Sequence, residues 1–181
     1  MWAILIMPYP INRFRRGWKK QFSFVELRMI ILLCGPPGAG KSTIARMLAK
    51  RRGATLLSTD ELKRRVYSRL MREIQRRAGE ELVLDGTFYR RAWREEVRKF
   101  AESRGIPLLV VLVRSSLQTS LQRDPQREKP VGERAVRIIH AEFEKPEADI
   151  VIDSEKLTPE EAVELILSAA RTASCKHRPP S

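Results

Sequence analysis

The feature that most restricts the fold is a series of five short apolar segments, each three to six residues long and separated by charged stretches. The segments are Met29–Cys34, Ala54–Leu57, Leu82–Leu84, Leu108–Val113 and Ile150–Ile152. Strands that are apolar along their whole length, without an alternating polar face, are typical of a parallel sheet covered by helices on both sides. We therefore predict an α/β fold, a three-layer α/β/α sandwich with a five-stranded parallel sheet.

The stretches between these segments have helical character, and several carry helix start or stop signals. Gly53 and Gly105 are expected to end helices, and Thr158 precedes Pro159 at a capped helix start. Helices are predicted at Lys41–Arg52, Glu61–Arg77, Arg91–Arg104, Ser116–Arg123, Gly132–Phe143 and Pro159–Arg171.

Chain length predicts one domain. With 181 residues, of which 43% are hydrophobic, the chain can bury one substantial core and is too short for two ordinary ones. We assign this domain to residues 29–171 and expect residues 172–181 to form a flexible, Pro-rich tail. Residues 1–28 form a basic extension that either contacts nucleic acid or is a disordered arm, with Met29 as an alternative start.

Positive charge is concentrated in the first part of the chain. The net charge is +13 and the pI is near 10.4; residues 1–104 carry a net +14 and residues 105–181 a net −1. This distribution favours an anionic partner, such as a nucleotide, a nucleic acid or an acidic metabolite. A basic surface without a polyanion partner is the alternative.

The cysteines and the hydropathy pattern predict the cellular compartment of the protein. Cys34 and Cys175 lie far apart, without His or Cys at metal-ligand spacing, so neither a zinc site nor a disulfide is expected. Cys34 ends an apolar segment and is interpreted as a small core residue. No apolar run approaches the roughly 18 residues of a membrane helix, and the apolar residues 1–7 lack the features of a secretory signal. We expect a soluble, cytoplasmic protein without a membrane partner.

The most specific motif is GPPGAGKST, which follows the first apolar segment and precedes the first predicted helix. It matches GxxxxGK[ST], the loop that binds nucleotide phosphates. Lys41 is expected to reach the β- and γ-phosphates, and Ser42 to hold Mg²⁺. Backbone N–H groups of the loop would contact the phosphates. The predicted nucleotide-binding residues are Gly35, Pro36, Pro37, Gly38, Ala39, Gly40, Lys41, Ser42 and Thr43. A chance Gly-rich turn is the alternative to nucleotide binding, and the motif alone does not separate phosphoryl transfer from hydrolysis-driven switching.

A second candidate site follows the second apolar segment, in the sequence STDELKR. Asp60 is placed at the carboxyl end of a strand, where ligands of open α/β sheets bind, and could accept the proton of an attacking hydroxyl. Lys63 or Arg64, one helical turn later, could orient an anionic group of the substrate. The alternative interpretation is that Asp60 is a helix N-cap.

Two further groups of charged residues fit a phosphotransfer site. Asp85 directly follows the third apolar segment, where P-loop proteins keep an acid that holds Mg²⁺; a turn Asp before Gly86 is the alternative. Arg123 and Arg127 are four residues apart and could close over the phosphates as a lid. A solvated charge cluster would show the same spacing.

Together these motifs resemble the small P-loop kinases grouped with polynucleotide kinase and zeta toxin, and most closely the kinase domain of L-seryl-tRNA(Sec) kinase. The resemblance rests on CGPPGAGKST, STDELKR, LVLDGTFYRRAWREEV, the two lid arginines, and FEKP before the last strand. It implies a P-loop NTPase fold of the nucleoside-kinase type, with ATP and Mg²⁺ as cofactors and a tRNA-linked hydroxyl as acceptor. The implied catalytic and substrate-contacting residues are Lys41, Asp60, Arg123, Arg127, Lys63, Arg64, Tyr89 and Arg94, with Asp85 near the metal.

The chain departs from that family in ways that keep the acceptor open. Lys63 replaces a usual Arg, Gly86 replaces a second acid, Phe88 replaces a frequent Asn, and no separate tRNA-binding domain is expected in these 181 residues. The segment VIDSEKLTPEEAV also resembles adenylyl-sulfate kinases. Three hypotheses follow: a kinase for a hydroxyl on RNA or tRNA, a kinase for a small metabolite, and a nucleotide-dependent binding protein without catalysis. Oligomeric state and the choice between ATP and GTP are not predicted.

Overall fold

A computed structural model of the chain describes residues 28–61 and 65–176. The predicted N-terminal extension up to residue 27, together with Lys63 and Arg64, lies outside the described residues. Five strands form one sheet in the order β2-β3-β1-β4-β5, and all neighbouring strands are parallel. The strands are β1 (Ile30–Cys34), β2 (Thr55–Ser58), β3 (Leu82–Asp85), β4 (Leu108–Arg114) and β5 (Ile150–Asp153). The predicted sheet is confirmed, and each strand overlaps its apolar segment.

The strands at the centre of the sheet are apolar because both of their faces are covered. Every residue of β1 and β3 is buried, and side chains that alternate along them enter two separate cores. One core lies between the sheet and helices α1 (Lys41–Arg52) and α6 (Pro159–Lys176), and the other lies under α2 (Val66–Arg76) and α3 (Arg91–Ser103). This confirms the three-layer sandwich.

Sheet order determines where a ligand can bind. From β1 the chain passes to the edge strand β2 and returns to β3, whereas β4 pairs with the opposite side of β1. Neighbouring connections therefore lead away from the carboxyl end of β1 in opposite directions, which opens a crevice there. The loop after β1, at residues 35–40, occupies this crevice and leads directly into α1.

The helices agree with the sequence predictions except at some of their ends. Helix α1 has the predicted bounds, and the two remaining helices are α4 (Leu117–Arg123) and α5 (Glu133–Ala141), the latter shorter than predicted at both ends. Helix α6 continues through residues 172–176, which we had assigned to the flexible tail. Ile166, Ala170 and Ala173 lie on one face of it and pack on the core, so the apolar face continues past the predicted end.

Helix α2 begins later than predicted, and this changes the surroundings of Asp60. Residues 59–61 form a 3₁₀ turn in which the Ser58 hydroxyl accepts the backbone N–H of Asp60 at 3.3 Å. Arg65, immediately before α2, has a left-handed backbone with φ 48°. A side-chain-bearing residue in that conformation interrupts a right-handed helix, so the turn and α2 are separate elements.

The loop between β3 and α3 contains a second non-glycine residue with a left-handed backbone, Phe88, at φ 43°. Its ring is fully buried, and two side chains bond its peptide groups. The Tyr67 hydroxyl accepts the Phe88 N–H at 3.0 Å, and the Arg94 guanidinium donates to the Phe88 carbonyl. Tyr67 is itself stacked on Trp93, with ring centroids 3.7 Å apart. Such a conformation costs on the order of 1–3 kcal/mol and persists because its surroundings hold it.

Removing the Tyr67 hydroxyl tests this support. Tyr67→Phe leaves the Phe88 N–H without its acceptor and should destabilise the fold by roughly 1–3 kcal/mol, measured as a lower Tm in thermal unfolding. The matched control is Tyr89→Phe, because the Tyr89 hydroxyl contacts the exposed Arg90. An unchanged Tm for Tyr67→Phe would contradict the assigned role.

Candidate active site at the carboxyl edge of the sheet

A cleft of about 470 Å³ opens at the carboxyl ends of the strands, beside the loop that follows β1. It gathers residues from four predicted sites that are far apart along the chain. Its lining includes Gly38, Gly40, Lys41, Ser42, Thr43, Asp60, Asp85, Arg123 and Arg127, all of which the sequence analysis selected. Gly35, Pro36, Pro37 and Ala39 form the buried inner side of the same loop.

The loop backbone lies too close to neighbouring backbone for side chains at two of its glycines. A Cβ at Gly35 would come within 1.9 Å of the Val113 carbonyl oxygen, and one at Gly38 within 2.7 Å of the Ser120 carbonyl oxygen. Both glycines also have positive φ, 149° and 78°, which favours glycine. Glycine is therefore required on steric grounds at these two positions of the motif.

The start of α1 presents unpaired donors to the cleft. No side chain caps this helix, and within the described part of the chain the amides of residues 40–43 have no protein acceptor. Unpaired N–H groups at a helix N-terminus bind phosphate through hydrogen bonds and the helix dipole. The geometry thus fits the phosphates of a nucleotide.

Lys41 is held inside this loop. It is 7% exposed, and its Nζ donates to the Pro36 carbonyl oxygen at 2.8 Å. Burial lowers the pKa of Lys41, while the nearby Asp85 carboxylate acts in the opposite direction. A phosphate oxygen is a stronger acceptor than a carbonyl, so a bound nucleotide would draw the ammonium from Pro36 toward itself.

Asp85 has an unused acceptor that suits a cation. The residue is 3% exposed; its Oδ2 accepts the Ser58 hydroxyl at 3.3 Å, and its Oδ1 is buried without a hydrogen-bond partner. A buried carboxylate oxygen without a partner is costly unless a ligand completes it. Together with the Ser42 hydroxyl in the same cleft, it fits Mg²⁺, which takes few protein ligands and completes its shell with phosphate oxygens and water. The described residues contain no group of three or more His, Cys, Asp or Glu that could hold a metal on its own.

Asp60 lies in the 3₁₀ turn before α2, with its side chain 45% exposed. Its Oδ2 accepts from Nη2 of Arg127 at 2.7 Å, and the Lys129 ammonium donates to its backbone carbonyl at 3.4 Å. It does not cap α2, whose N-cap position is Arg65. The N-cap alternative is therefore wrong, because the turn separates Asp60 from the helix.

Arg123 and Arg127 reach the cleft from a folded loop instead of from one helical face. Helix α4 ends at Arg123, a 3₁₀ turn covers residues 124–126, and Arg127 follows it. Arg123 donates to the Ser154 hydroxyl at 3.0 Å. Arg127 bonds Asp60 with one nitrogen and Asp124 with the other, the latter at 3.2 Å. The solvated-cluster alternative does not describe this arrangement.

Asp124 organises this loop from a buried position. Its carboxylate accepts the backbone N–H groups of Val131 and Gly132, the latter at 2.9 Å, in addition to the Arg127 guanidinium. Burial acts to raise the pKa of Asp124, but these N–H groups and Arg127 outweigh it and hold the pKa below its usual value. The loop that carries the lid arginines is therefore built around one ionised carboxylate.

The structure places two predicted substrate contacts outside the cleft. Arg94 is 5% exposed and bonds backbone carbonyls, including Glu144 O at 2.7 Å, so it supports the loop after β3. Tyr89 packs edge-on against Trp93 at 5.0 Å, and neither Tyr89 nor Arg94 lines the cleft. The roles predicted for Lys63 and Arg64 stay predictions, since both lie outside the described residues.

Several cleft residues escaped the sequence analysis. Arg46 lies one helical turn after Ser42, and that i, i+4 spacing could have placed it on the same side of α1. Ser58 follows an apolar segment but resembles an ordinary turn residue. The remaining ones are Leu56, Gln126, Glu128 and Lys129, for which no local signal exists.

The described cysteine and histidine side chains, Cys34 and His140, have structural positions and do not line the cleft. Burial raises the pKa of Cys34 to about 11, so its thiol stays protonated at neutral pH and the core interpretation holds. The His140 ring bonds the buried Ser120 hydroxyl at 2.9 Å, behind Gly38. Burial first, and the Lys41 charge second, lower the pKa of His140, which keeps it neutral in the packing behind the loop.

Comparison with known proteins is consistent with this geometry. Residues 30–146 match the AAA domain family, which is more than half of the chain. The chain belongs to this family and is a P-loop kinase. A putative adenylate kinase of Thermococcus onnurineus is 30% identical over 163 residues, covering 82% of this chain and 87% of that protein.

Two further proteins resemble this P-loop kinase, one over a shorter segment and one in fold alone. A shikimate kinase of Corynebacterium efficiens is 45% identical over 53 residues, so the match spans 29% of this chain and only 31% of that enzyme. The APS kinase CysC of Mycobacterium tuberculosis, solved with AMPPNP and APS, has a TM-score of 0.63 at 18% identity, covering 79% of this chain and 97% of that one. Its likeness concerns the fold. None of the described helices has the length and apolarity needed to cross a bilayer.

The close approach at Gly38 yields a test of phosphate binding. Gly38→Ala should weaken ATP binding by at least about tenfold, which corresponds to 1.4 kcal/mol, because the new methyl group displaces the loop from Ser120. Isothermal titration calorimetry measures the affinity. Gly53→Ala is the matched control, since Gly53 also has positive φ but no atom within 4 Å of its added Cβ; it should keep the parent affinity. Parent-like binding by Gly38→Ala would contradict the site.

The unpaired oxygen of Asp85 yields a test of the metal. Asp85→Asn should remove most of the gain in ATP affinity that Mg²⁺ provides while leaving metal-free binding nearly unchanged, because the neutral amide is a poor Mg²⁺ ligand. Titration with and without EDTA separates the two. Asp153→Asn, at the end of β5 and paired with the exposed Arg114, is the control. An undiminished Mg²⁺ effect in Asp85→Asn would exclude Asp85 as the metal residue.

Proposed function

We propose that this kinase transfers the γ-phosphoryl group of MgATP to a hydroxyl group on RNA, with tRNA as the leading candidate. The observation that carries the proposal is the meeting of Lys41, Asp60, Asp85 and two arginines in one cleft. A phosphate-binding loop alone would serve a switch equally well. A carboxylate opposite that loop, with arginines above it, is what transfer to a hydroxyl requires.

Each of these cleft residues has a distinct role in the proposed reaction. The loop amides and Lys41 bind the phosphates, and Asp60 accepts a hydrogen bond from the acceptor hydroxyl and takes its proton during attack. The acceptor oxygen forms a bond to Pγ as the bond from Pγ to the β-γ bridging oxygen breaks, and ADP carries away the electron pair. Arg123 and Arg127 stabilise the negative charge on the transferring group. Mg²⁺ held by Ser42 and Asp85 would neutralise charge on the β- and γ-oxygens.

The ion pair between Arg127 and Asp60 links the base to the lid. In the structure Arg127 covers the carboxylate that the acceptor hydroxyl needs. The γ-phosphate offers Arg127 an anionic partner with several acceptor oxygens. Asp124 meanwhile keeps its ion pair with the other terminal nitrogen of the guanidinium. ATP binding would thus free Asp60 for the acceptor, which favours an ordered reaction with the nucleotide first.

Charge and family resemblance support an RNA acceptor. The net +14 of residues 1–104 fits a polyanion, and the motifs resemble those of the seryl-tRNA kinases. Gly86 marks a difference: a Cβ there would come within 2.6 Å of the Thr59 side chain. The second acid of seryl-tRNA kinases therefore has no room, and the acceptor must be contacted differently here.

A small anionic metabolite is the second candidate acceptor. The observation in its favour is Arg46, a cation in the cleft without a carboxylate partner among the described residues. Relatives and neighbours named as shikimate kinase and APS kinase make a metabolite such as adenylyl sulfate a reasonable alternative. Incubation of labelled ATP with the kinase and a cell extract, followed by mass spectrometry, separates the two acceptors, because the label enters either RNA or a low-mass compound.

Replacing the proposed base tests catalysis directly. Asp60→Asn should lower the phosphoryl-transfer rate by roughly 10²–10⁴-fold, the usual contribution of a positioned general base, while changing ATP affinity by no more than about twofold. Rates are measured as ADP production with the acceptor identified above. Glu128→Gln, which removes another carboxylate of the same cleft, should keep most of the activity. Equal rates for Asp60→Asn and the parent would exclude Asp60 as the base.

A further inference from the structure

Helix α2 and the residue just before it present four arginines to solvent, which we call the arginine row. Its members are Arg65, Arg69, Arg72 and Arg76, and all four are exposed. Arg69, Arg72 and Arg76, spaced three and four residues apart, lie on one face of the helix, and Arg65 directly precedes its first turn. The opposite face buries Leu70, Met71 and Ile74 in the core, so packing fixes the direction in which the row points.

Most of the row has no carboxylate partner. Arg76 pairs with Glu73 at 3.0 Å, but within residues 28–61 and 65–176 no carboxylate lies within 4.0 Å of Arg65, Arg69 or Arg72. Some arginines on other helices are paired within one turn, such as Arg137 with Glu133 at 2.7 Å. Like charges one helical turn apart repel and destabilise a helix. The row therefore costs stability in the free protein, and an anionic partner would offset that cost.

The row also starts at the edge of the sheet that holds the candidate active site. Arg65 directly precedes α2, only five residues after Asp60 in sequence, and its backbone is left-handed. Because α2 joins two parallel strands, it runs away from the carboxyl edge of the sheet. The row therefore starts near the edge of the sheet where the cleft opens and extends about 16 Å, at 1.5 Å per residue.

We propose that the arginine row binds the phosphate backbone of an RNA strand, whose hydroxyl-bearing end enters the cleft at Asp60. The proposal rests on the RNA acceptor proposed above and names the surface that holds it. Guanidinium groups suit phosphates because they bind them with two parallel hydrogen bonds. A span of about 16 Å faces several phosphates of one strand, which follow each other at about 3.4 Å of axial rise in a duplex.

The composition of this face favours a nucleic acid over a membrane or a protein. Membrane-surface helices insert apolar side chains beside their cations, and protein interfaces have an apolar centre. The large exposed hydrophobic residues among the described ones are Val131, Ile138, Val151 and Leu165, and none of them belongs to α2. The phosphate backbone of a nucleic acid can bind to this face through the arginines alone, without an apolar contact.

Salt-dependent binding tests the proposal on the full-length chain. Fluorescence anisotropy with a 3′-labelled, 5′-hydroxyl RNA 12-mer gives Kd over a series of salt concentrations. For the parent, the logarithm of the association constant falls linearly with log [salt]. The triple variant Arg65→Gln, Arg69→Gln, Arg72→Gln should make this slope shallower by about two, since each single-strand phosphate contact contributes about 0.7 to its magnitude. The corresponding triple Arg→Lys variant keeps the charge and should keep most of that slope.

A second triple variant controls for net charge. Lys50→Gln, Arg51→Gln, Arg171→Gln removes the same charge from α1 and α6, on the opposite face of the sheet, and should change the slope by less than about 0.5. An equal loss of slope in both triple variants would overturn the proposal, because it would show diffuse attraction. So would an unchanged slope in the arginine-row variant, or row-dependent binding to phosphatidylserine vesicles without RNA binding.

RNA binding and phosphoryl transfer are measured separately. The proposed docking surface and the proposed RNA acceptor can therefore be refuted independently. If the parent phosphorylates the oligonucleotide and the arginine-row variant shows an unchanged KM for it, the row is not the docking surface, although the RNA kinase function stands. If the row governs RNA binding but no phosphate is transferred to any RNA, the proposed acceptor is wrong while the docking surface stands. The KM for ATP should remain within about twofold of the parent in every triple variant.

Discussion

The close packing of the phosphate-binding loop against neighbouring backbone is the constraint on which the rest of the site depends. At Gly35 the loop approaches the end of β4, and at Gly38 it approaches α4, too closely for any side chain. These two contacts join β1, β4 and α4 into one rigid support. The unpaired amides at the start of α1 and the buried Lys41 adjoin the same cleft, which Asp60, Asp85 and the two lid arginines also line.

The charges of the cleft are arranged around this support at different degrees of burial. Asp85 is buried and has an oxygen free for a cation, whereas Asp60 is half exposed and shares Arg127 with the buried Asp124. The two carboxylates can therefore serve different purposes although they follow neighbouring strands. The buried oxygen without a partner suits the proposed metal, and access to solvent would leave the other carboxylate open to the proposed acceptor hydroxyl.

Much of the site could be predicted because its signals are local in sequence. The GxxxxGKS spacing implies a loop between strand and helix, and Asp60 and Asp85 each follow an apolar segment that ends at the same edge of a parallel sheet. Predictions were wrong where a local pattern had two structural solutions. The helical spacing of Arg91 to Arg104 was correct, yet it could not show that Arg94 turns inward to bond the backbone at Phe88. In the same way, the residues after Asp60 favour a helix, but α2 begins at Val66, after the left-handed Arg65.

The sequence by itself determined the sheet, its helical covering and the phosphate loop, because hydrophobic periodicity and glycine spacing act over a few neighbouring residues. Tertiary structure alone decided which charges meet. The pairing of Arg127 with Asp60 joins residues 67 positions apart, and the unpaired Oδ1 of Asp85 is defined by everything packed around it. It also decided that the arginine row faces solvent without partners. Such contacts depend on the strand order and on the packing of distant elements, for which no short stretch of sequence carries a signal.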